Sequence, residues 1–204
     1  MKRLIVIALI GCGSWFYLSR PATPHVQTAP PLVALRSVSE TQAPLQRNPD
    51  STEIFQVNGY ELRPLQAFAI KARVLAVEQY RAGREADLSP VDIAFGWGRM
   101  ADPAITDKLS ISQSGRWYHW RYSGTPPLPP REIETSSGNM HLIPADQEVA
   151  RNLRAVDKGR LVSLRGYLVE ARGRDGWSWR SSLTREDTGG GSCEVIFVQS
   201  IELH

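Results

Sequence analysis

The sequence predicts a mainly β domain, with one or two short helices, behind an N-terminal membrane anchor. Three observations carry this prediction. Residues 4–18 are almost wholly apolar and uncharged, residues 65–80 contain a run that alternates apolar and polar side chains, and turn-forming residues separate several shorter alternating runs. With 204 residues, the chain has room for one globular domain and a tail, but not for a multidomain assembly.

Positive charge precedes the apolar N-terminal segment, as in export and anchoring signals. Lys2 and Arg3 stand directly before residues 4–18. Because positive charge stays on the cytoplasmic side, we expect a single-pass anchor in the inner membrane and a periplasmic C-terminal domain. The alternative is a lipoprotein, since the sequence LIGC that ends at Cys12 resembles a lipobox and would place lipid on that cysteine. The apolar run continues through residues 15–18, which favours the uncleaved anchor.

The charge of the chain does not indicate a nucleic-acid partner. The net charge is +3, and Lys2, Arg3 and Arg20 account for all of it. The rest of the chain is therefore neutral overall and has no basic excess for phosphate contacts. The expected extracytoplasmic compartment disfavours nucleic acid as well.

Composition divides the chain into three parts. Residues 1–20 are the anchor or signal segment, and residues 21–53 form a proline-rich stretch with no sustained period. Such a stretch is typical of an extended spacer, which would hold the domain away from the bilayer. We expect the folded domain to occupy residues 54–204.

The pattern of the domain predicts strands with two helices between them. Ser89 and Pro90 suit the first turn of a short helix that ends near residue 95, and Asp146 suits the N-cap of a clearer helix that ends near residue 156. The predicted strands are a long one over 65–80, a hairpin over 109–112 and 116–122, one over 160–172, and a last one over 194–203 after a hairpin excursion that contains Asp175-Gly176.

This order of elements matches a small OB-like β-barrel. In an OB-fold the helix falls between the third and fourth strands, which is where residues 146–156 lie. The match is topological, so a different small β-barrel or an α+β sheet stays open.

Tryptophans near the expected binding loops are the first candidate site. Trp97 follows the first predicted strand and helix, and Trp177 and Trp179 precede the last strand. In an OB-like barrel these loops border the binding face, where tryptophans could stack on a ligand or partner. The alternative is that all three are core residues at the ends of the barrel.

A thiol and an imidazole are the second candidate site. Cys193, beside the glycine-rich turn 189–191, and His141 could act as nucleophile and base in a thiol-dependent hydrolase or transferase. A free cysteine is more typically a small buried apolar side chain. The four histidines are too scattered to predict a metal site, and no cofactor is expected.

Several motifs resemble a family of functionally uncharacterised, membrane-anchored bacterial envelope proteins. They are the sequences SPVD at 89–92, GWGRMAD at 96–102, NMHLIP at 139–144 and SLTREDTGGGSCEVIFV at 182–198. The resemblance covers most of the chain after about Ile54, implies an uncleaved anchor, and brings no catalytic residue. Together with the residue patterns, it leads us to expect a non-enzymatic binding module that contacts another envelope protein.

Overall fold

The structure is a computed structural model that describes residues 24–187 and 192–204. The predicted anchor over 1–20, the lipidation of Cys12 and the glycine-rich turn 189–191 therefore lie outside the described residues. Within the described ranges, none of the helices has both the length and the apolar character needed to cross a membrane.

Strands dominate the described chain, which confirms the mainly β prediction: 44% of residues are in strands and 15% in helices. The strands are β1 (Val26–Gln27), β2 (Leu45–Arg47), β3 (Phe55–Val57), β4 (Tyr60–Gln79), β5 (Val91–Gly96), β6 (Ser110–Ser114), β7 (Trp117–Arg121), β8 (Ser137–Pro144), β9 (Leu161–Arg172), β10 (Ser178–Arg180) and β11 (Glu194–Leu203). The helices are α1 (Arg84–Leu88), α2 (Pro103–Thr106), α3 (Pro130–Thr135) and α4 (Gln147–Arg154), with a 3-10 turn over Gly98–Ala101.

The long strand β4 organises the main sheet, because it pairs antiparallel with β5 and also with β9. Strand β5 pairs antiparallel with β8, β8 pairs parallel with β11, and β11 pairs antiparallel with β9. The pairings thus lead from β4 through β5, β8, β11 and β9 back to β4. The register of β4 against β9 shifts between Pro64 and Gln66, where proline supplies no ladder hydrogen bond.

The principal core lies along these five strands and helix α4. Alternate side chains of each strand point into it, as the period of two requires. Its members include Phe68, Ile93, Met140, Leu164 and Ile196, all almost fully buried. Two further apolar clusters lie elsewhere in the domain, one around Phe197 and one around Met100.

Five predicted elements agree with the structure. The long strand over 65–80 corresponds to β4, the hairpin over 109–122 is β6 and β7, the strand over 160–172 is β9, and the last strand is β11 with the predicted bounds. Helix α4 begins after Asp146, whose carboxylate accepts a hydrogen bond of 2.8 Å from the amide of Val149. That contact is the N-cap geometry expected from the sequence.

The helix predicted over 89–95 is wrong. Residues 91–96 form the fully buried strand β5, and the short helix α1 precedes them. The hydroxyl of Ser89 donates to the carbonyl of Val91 and to Asp92 rather than capping a helix. Burial between β4 and β8 overrides the local helix signal, because each alternate side chain of the segment enters the core.

The segment predicted as a spacer over 21–53 also needs correction in its described part. Strand β1 pairs with β3 and β2 pairs with β4, so this part runs along the domain. Val33 is buried, and the carbonyl of Pro31 accepts hydrogen bonds from Tyr167 and Gln199. A proline-rich chain can lie extended against a surface, and these contacts hold it there.

Candidate functional site

A strip of polar side chains lies on the outer faces of β5 and β8. Because Val91, Ile93 and Phe95 point into the core, the alternating Asp92 points to the opposite face. His141 is the register partner of Asp92 on β8. The β6–β7 hairpin and strand β10 pack over this strip, and Asp92, Asn139 and His141 are buried.

Asp92 is the centre of the strip and is fully buried. One carboxylate oxygen accepts a hydrogen bond of 2.7 Å from Arg116 and one of 3.3 Å from Ser89. Its other oxygen lies 2.9 Å from Nδ1 of His141. A buried carboxylate is tolerated only with such partners. We call Ser89, Asp92, Arg116 and His141 the aspartate network.

Aromatic rings enclose the aspartate network. The guanidinium of Arg116 lies 3.7 Å from the ring centre of Tyr80 and 5.6 Å from that of Trp179. The rings of Trp179 and His141 lie 4.7 Å apart. Arg116 belongs to the β6–β7 turn and Trp179 belongs to β10. Their contacts with the aspartate network therefore hold the hairpin and β10 against the outer faces of β5 and β8.

A large groove lies beyond one end of the strip. Its volume is about 860 Å³, and it is lined by the chain between β4 and β5, by residues 173–175 and by part of α4. We call it the arginine groove, because Arg81, Arg84, Arg154 and Arg174 line it against only two carboxylates, Asp87 and Asp175. Its volume is in the range of ligand-binding clefts.

The positive charge of the arginine groove is only partly compensated. Arg84 and Asp175 form an ion pair of 2.5 Å, and this hydrogen bond lowers the pKa of Asp175. Arg81, Arg154 and Arg174 have no ion-pair partner within the described residues. Burial, and then the neighbouring Arg151, lowers the pKa of Arg154, but an arginine stays charged at neutral pH.

A smaller cavity lies at the other end of the strip, where β8 begins. Its volume is about 250 Å³. We call it the tryptophan cavity, and its lining includes Trp97, Trp117, Tyr118, Trp120, Gly138, Asn139, Arg185, Cys193 and Glu194. The two cavities thus lie on either side of the aspartate network along β8.

Arg185 and Glu194 form a buried ion pair in the wall of the tryptophan cavity. Burial lowers the pKa of Arg185 to about 10, while Asp187 and Cys193 act in the opposite direction. Three buried atoms of the pair have no hydrogen-bond partner within the described chain: Nε and Nη2 of Arg185, and Oε2 of Glu194. Each such atom costs free energy unless a partner satisfies it.

The three predicted tryptophans lie in two places. Trp177 and Trp179 are partly buried with ring centres 6.1 Å apart, and Trp177 contacts Tyr60 and Arg84 of the arginine groove. Trp97 is 3% exposed, belongs to the principal core and lines the tryptophan cavity. The structure therefore brings Trp177 and Trp179 together and leaves Trp97 at the other end of the strip. Their role in binding stays a prediction.

Within the described residues, the structure does not pair Cys193 with His141. Cys193 lines the tryptophan cavity, whereas His141 belongs to the aspartate network, and no hydrogen bond joins them in the part of the chain that the structure describes. Burial, with smaller contributions from Asp92 and Asp187, raises the pKa of the Cys193 thiol to about 11. At neutral pH the thiol is protonated, whereas the nucleophile is the thiolate.

The sequence reasoning missed Asp92 and Arg116. A charged residue inside the run VDIAF was a usable signal, because a carboxylate on a buried strand needs a partner. Nothing in the local sequence pointed to Arg116, which reaches Asp92 across the fold. Within residues 24–187 and 192–204, no group of three histidine, cysteine or acidic side chains could hold a metal ion. Comparison with protein-family models, curated proteins and solved structures gave no match.

Proposed function

We propose that the chain is a membrane-anchored, extracytoplasmic and non-enzymatic binding module with an OB-type barrel. In this proposal the arginine groove binds an acidic segment of another envelope protein. The uncharged segment 4–18 would hold the module at the inner membrane.

The order of strand pairing supports the OB-type assignment. If β4, β5, β8, β9 and β11 are the five strands of the barrel, the third and fifth pair in parallel, and α4 falls between the third and fourth. In an OB-fold, ligands bind on the second and third strands, bordered by the loop between strands one and two and the loop between four and five. The arginine groove is lined by residues from both of these loops.

The charge of the groove carries the proposal for its ligand. Arg81, Arg154 and Arg174 line the arginine groove and have no carboxylate partner in the described chain. A ligand that supplies carboxylates would therefore gain charge-assisted hydrogen bonds from these side chains. Trp177, beside Arg84, would add apolar contact at the rim. Such a combination of aromatic and arginine side chains is typical of the residues that dominate protein interfaces.

The alternative, a thiol-dependent hydrolase or transferase, has less support. Cys193 would need a base to form the thiolate, but the pKa of its thiol is raised to about 11 and His141 faces Asp92 instead. The arrangement around Cys193 therefore favours an inert thiol over a nucleophile.

A charge-reversal experiment tests the acidic ligand. The full-length protein, in detergent, is titrated into a fluorescein-labelled polyglutamate peptide while fluorescence anisotropy is measured. We expect saturable binding that weakens at least about tenfold in the double variant Arg81→Glu, Arg174→Glu, because two charge-assisted contacts become repulsive. The matched control, Arg63→Glu with Arg121→Glu, makes the same charge change at exposed positions outside the groove.

Two outcomes contradict the proposal. Equal weakening by the groove variant and the control would show a general effect of net charge. Tighter binding of a labelled single-stranded oligonucleotide than of polyglutamate, lost in the groove variant, would show that the groove serves nucleic acid.

A further inference from the structure

A loop that follows β10 carries two exposed carboxylates. We call residues 182–187 the acidic loop. Glu186 and Asp187 are exposed, and the apolar side chain of Leu183 is 38% exposed. Within the described residues, neither Glu186 nor Asp187 forms an ion pair. The loop therefore presents two negative charges and one apolar side chain to the outside of the domain.

Hydrogen bonds within the acidic loop hold its shape. The hydroxyl of Ser182 donates to the carboxylate of Asp187 at 2.7 Å and accepts from the amide of Thr184 at 3.2 Å. The amide of Glu186 donates to the hydroxyl of Thr184 at 3.1 Å, and Arg131 donates to the carbonyl of Glu186 at 2.7 Å. The loop is thus formed before any partner binds, which lowers the entropic cost of association.

The acidic loop and the arginine groove lie at opposite ends of β8. Asp187 and Asn139 line the tryptophan cavity, whereas Pro144 lines the arginine groove. The stretch of β8 from Asn139 to Pro144 is about 17 Å long, since a strand rises about 3.3 Å per residue. The hydrogen bonds of the loop hold it at its own end of β8. It therefore cannot enter the groove of the same chain.

We infer that the arginine groove binds the acidic loop of a second copy of this chain. The carboxylates of Glu186 and Asp187 would accept charge-assisted hydrogen bonds from the unpaired arginines of the groove. Leu183 would contact Trp177, which lies at the rim beside Arg84. The inference rests on the proposed function, because it requires the groove to bind carboxylates, and it names the protein that supplies them.

The charges of the two surfaces match in number. Four arginines and two carboxylates line the groove, which leaves it with two positive charges. Glu186 and Asp187 supply two negative charges, since Arg185 of the same loop pairs with Glu194. A contact between two different surfaces is heterologous, so a copy bound through its groove still offers its own loop. Association therefore continues from copy to copy instead of ending at a dimer.

Sedimentation velocity of the full-length protein in detergent tests the inference. We expect the wild-type chain to form dimers and larger species that increase with protein concentration. Two variants each disable one surface. Arg81→Glu with Arg174→Glu reverses charge in the groove, and Glu186→Gln with Asp187→Asn removes the charge of the loop with little change of shape. Self-association of each variant alone should weaken at least about tenfold, because the opposite charges no longer meet.

A mixture of the two variants separates docking from folding. The groove variant keeps a native loop and the loop variant keeps a native groove, so the mixture should form a 1:1 dimer and nothing larger. A variant that had failed to fold could not restore this contact. The matched controls are Arg63→Glu with Arg121→Glu, and Glu61→Gln with Glu202→Gln. Both change exposed charges outside the two surfaces and should self-associate as the wild type does.

Three outcomes overturn the inference. They are a wild-type chain that stays monomeric, self-association that persists in either variant, as contact through the N-terminal segment would, and a mixture that stays monomeric although both variants keep the wild-type unfolding midpoint. The proposed function fails on a different result. If the monomeric wild type binds polyglutamate, only the inference falls, whereas failure of polyglutamate to bind contradicts the proposed function.

Discussion

Loss of the Arg116 guanidinium should destabilise the domain strongly. Arg116→Met retains much of the apolar stem of the side chain but leaves Asp92 without its cationic partner. Asp92 is fully buried and the Arg116 side chain is only 19% exposed. Removing one partner of a buried pair costs about 3 kcal/mol or more, because the other charge stays buried and uncompensated. The contact with Tyr80 is lost as well.

Urea unfolding measures this cost, with two comparisons. Arg99→Met is the matched control, since Arg99 forms a 3.1 Å pair with Glu132 at the surface, where it is 61% exposed. We expect that control to cost less than about 1 kcal/mol. The double variant Arg116→Met, Asp92→Asn has no buried carboxylate charge. Its loss of unfolding free energy should therefore be about 2 kcal/mol smaller than the sum of the losses in the two single variants.

Amide hydrogen exchange locates the effect. If Arg116 fastens the hairpin, residues 110–121 should exchange faster in Arg116→Met, while α4 should change least. A cost below about 1 kcal/mol for Arg116→Met, or strict additivity with Asp92→Asn, would refute the reasoning, because either result means that the pair behaves as an exposed one.

Two further predictions concern Cys193 and the centre of the sheet. Alkylation of Cys193 by iodoacetamide at pH 8 should be roughly 100-fold slower in the folded chain than in urea, because burial raises the pKa of the thiol from about 9 to about 11. Peptide mass spectrometry measures the alkylation of Cys193 separately from that of Cys12. Equal rates in the folded and the urea-unfolded chain would contradict the prediction. Since the folded chain holds the thiol proton more tightly, this group contributes stability below about pH 9 that is lost as the pH rises through 11. Gly166→Ala should cost about 3 kcal/mol in thermal unfolding, since a Cβ there would overlap the carbonyl oxygen of Phe197 on β11. Gly138→Ala is the control, because a Cβ at position 138 would approach no backbone atom so closely. Its loss of unfolding free energy should be far smaller than that of Gly166→Ala.

The sequence predicted best where a signal is local. The cap at Asp146 and the strand that begins at Glu194 depend on neighbouring residues, and both agree with the structure. The helix expected after Ser89 failed although its local signals were good, because the same residues satisfy a buried strand better once β4 and β8 flank them.

The candidate site was predictable only in part. Trp177 and Trp179 were identified from their place before the last strand, and they lie beside each other near the arginine groove. Grouping them with Trp97 assumed one binding face, whereas Trp97 follows β5 and enters the core at the other end of the strip. Sequence order does not reveal at which end of a sheet a loop lies until the strands are paired.

The sequence by itself determined the mainly β class, the hairpin, the helix between two late strands and the neutrality of the chain after Arg20, because these follow from period, turn chemistry and composition. Only the tertiary structure decided which charges meet. Asp92 lies against Arg116 and His141, which are far from it in sequence and which no local pattern connects to it. The pairing of the strands sets which opposite charge lies close to a buried charge, so the partner is not determined by the sequence around either residue.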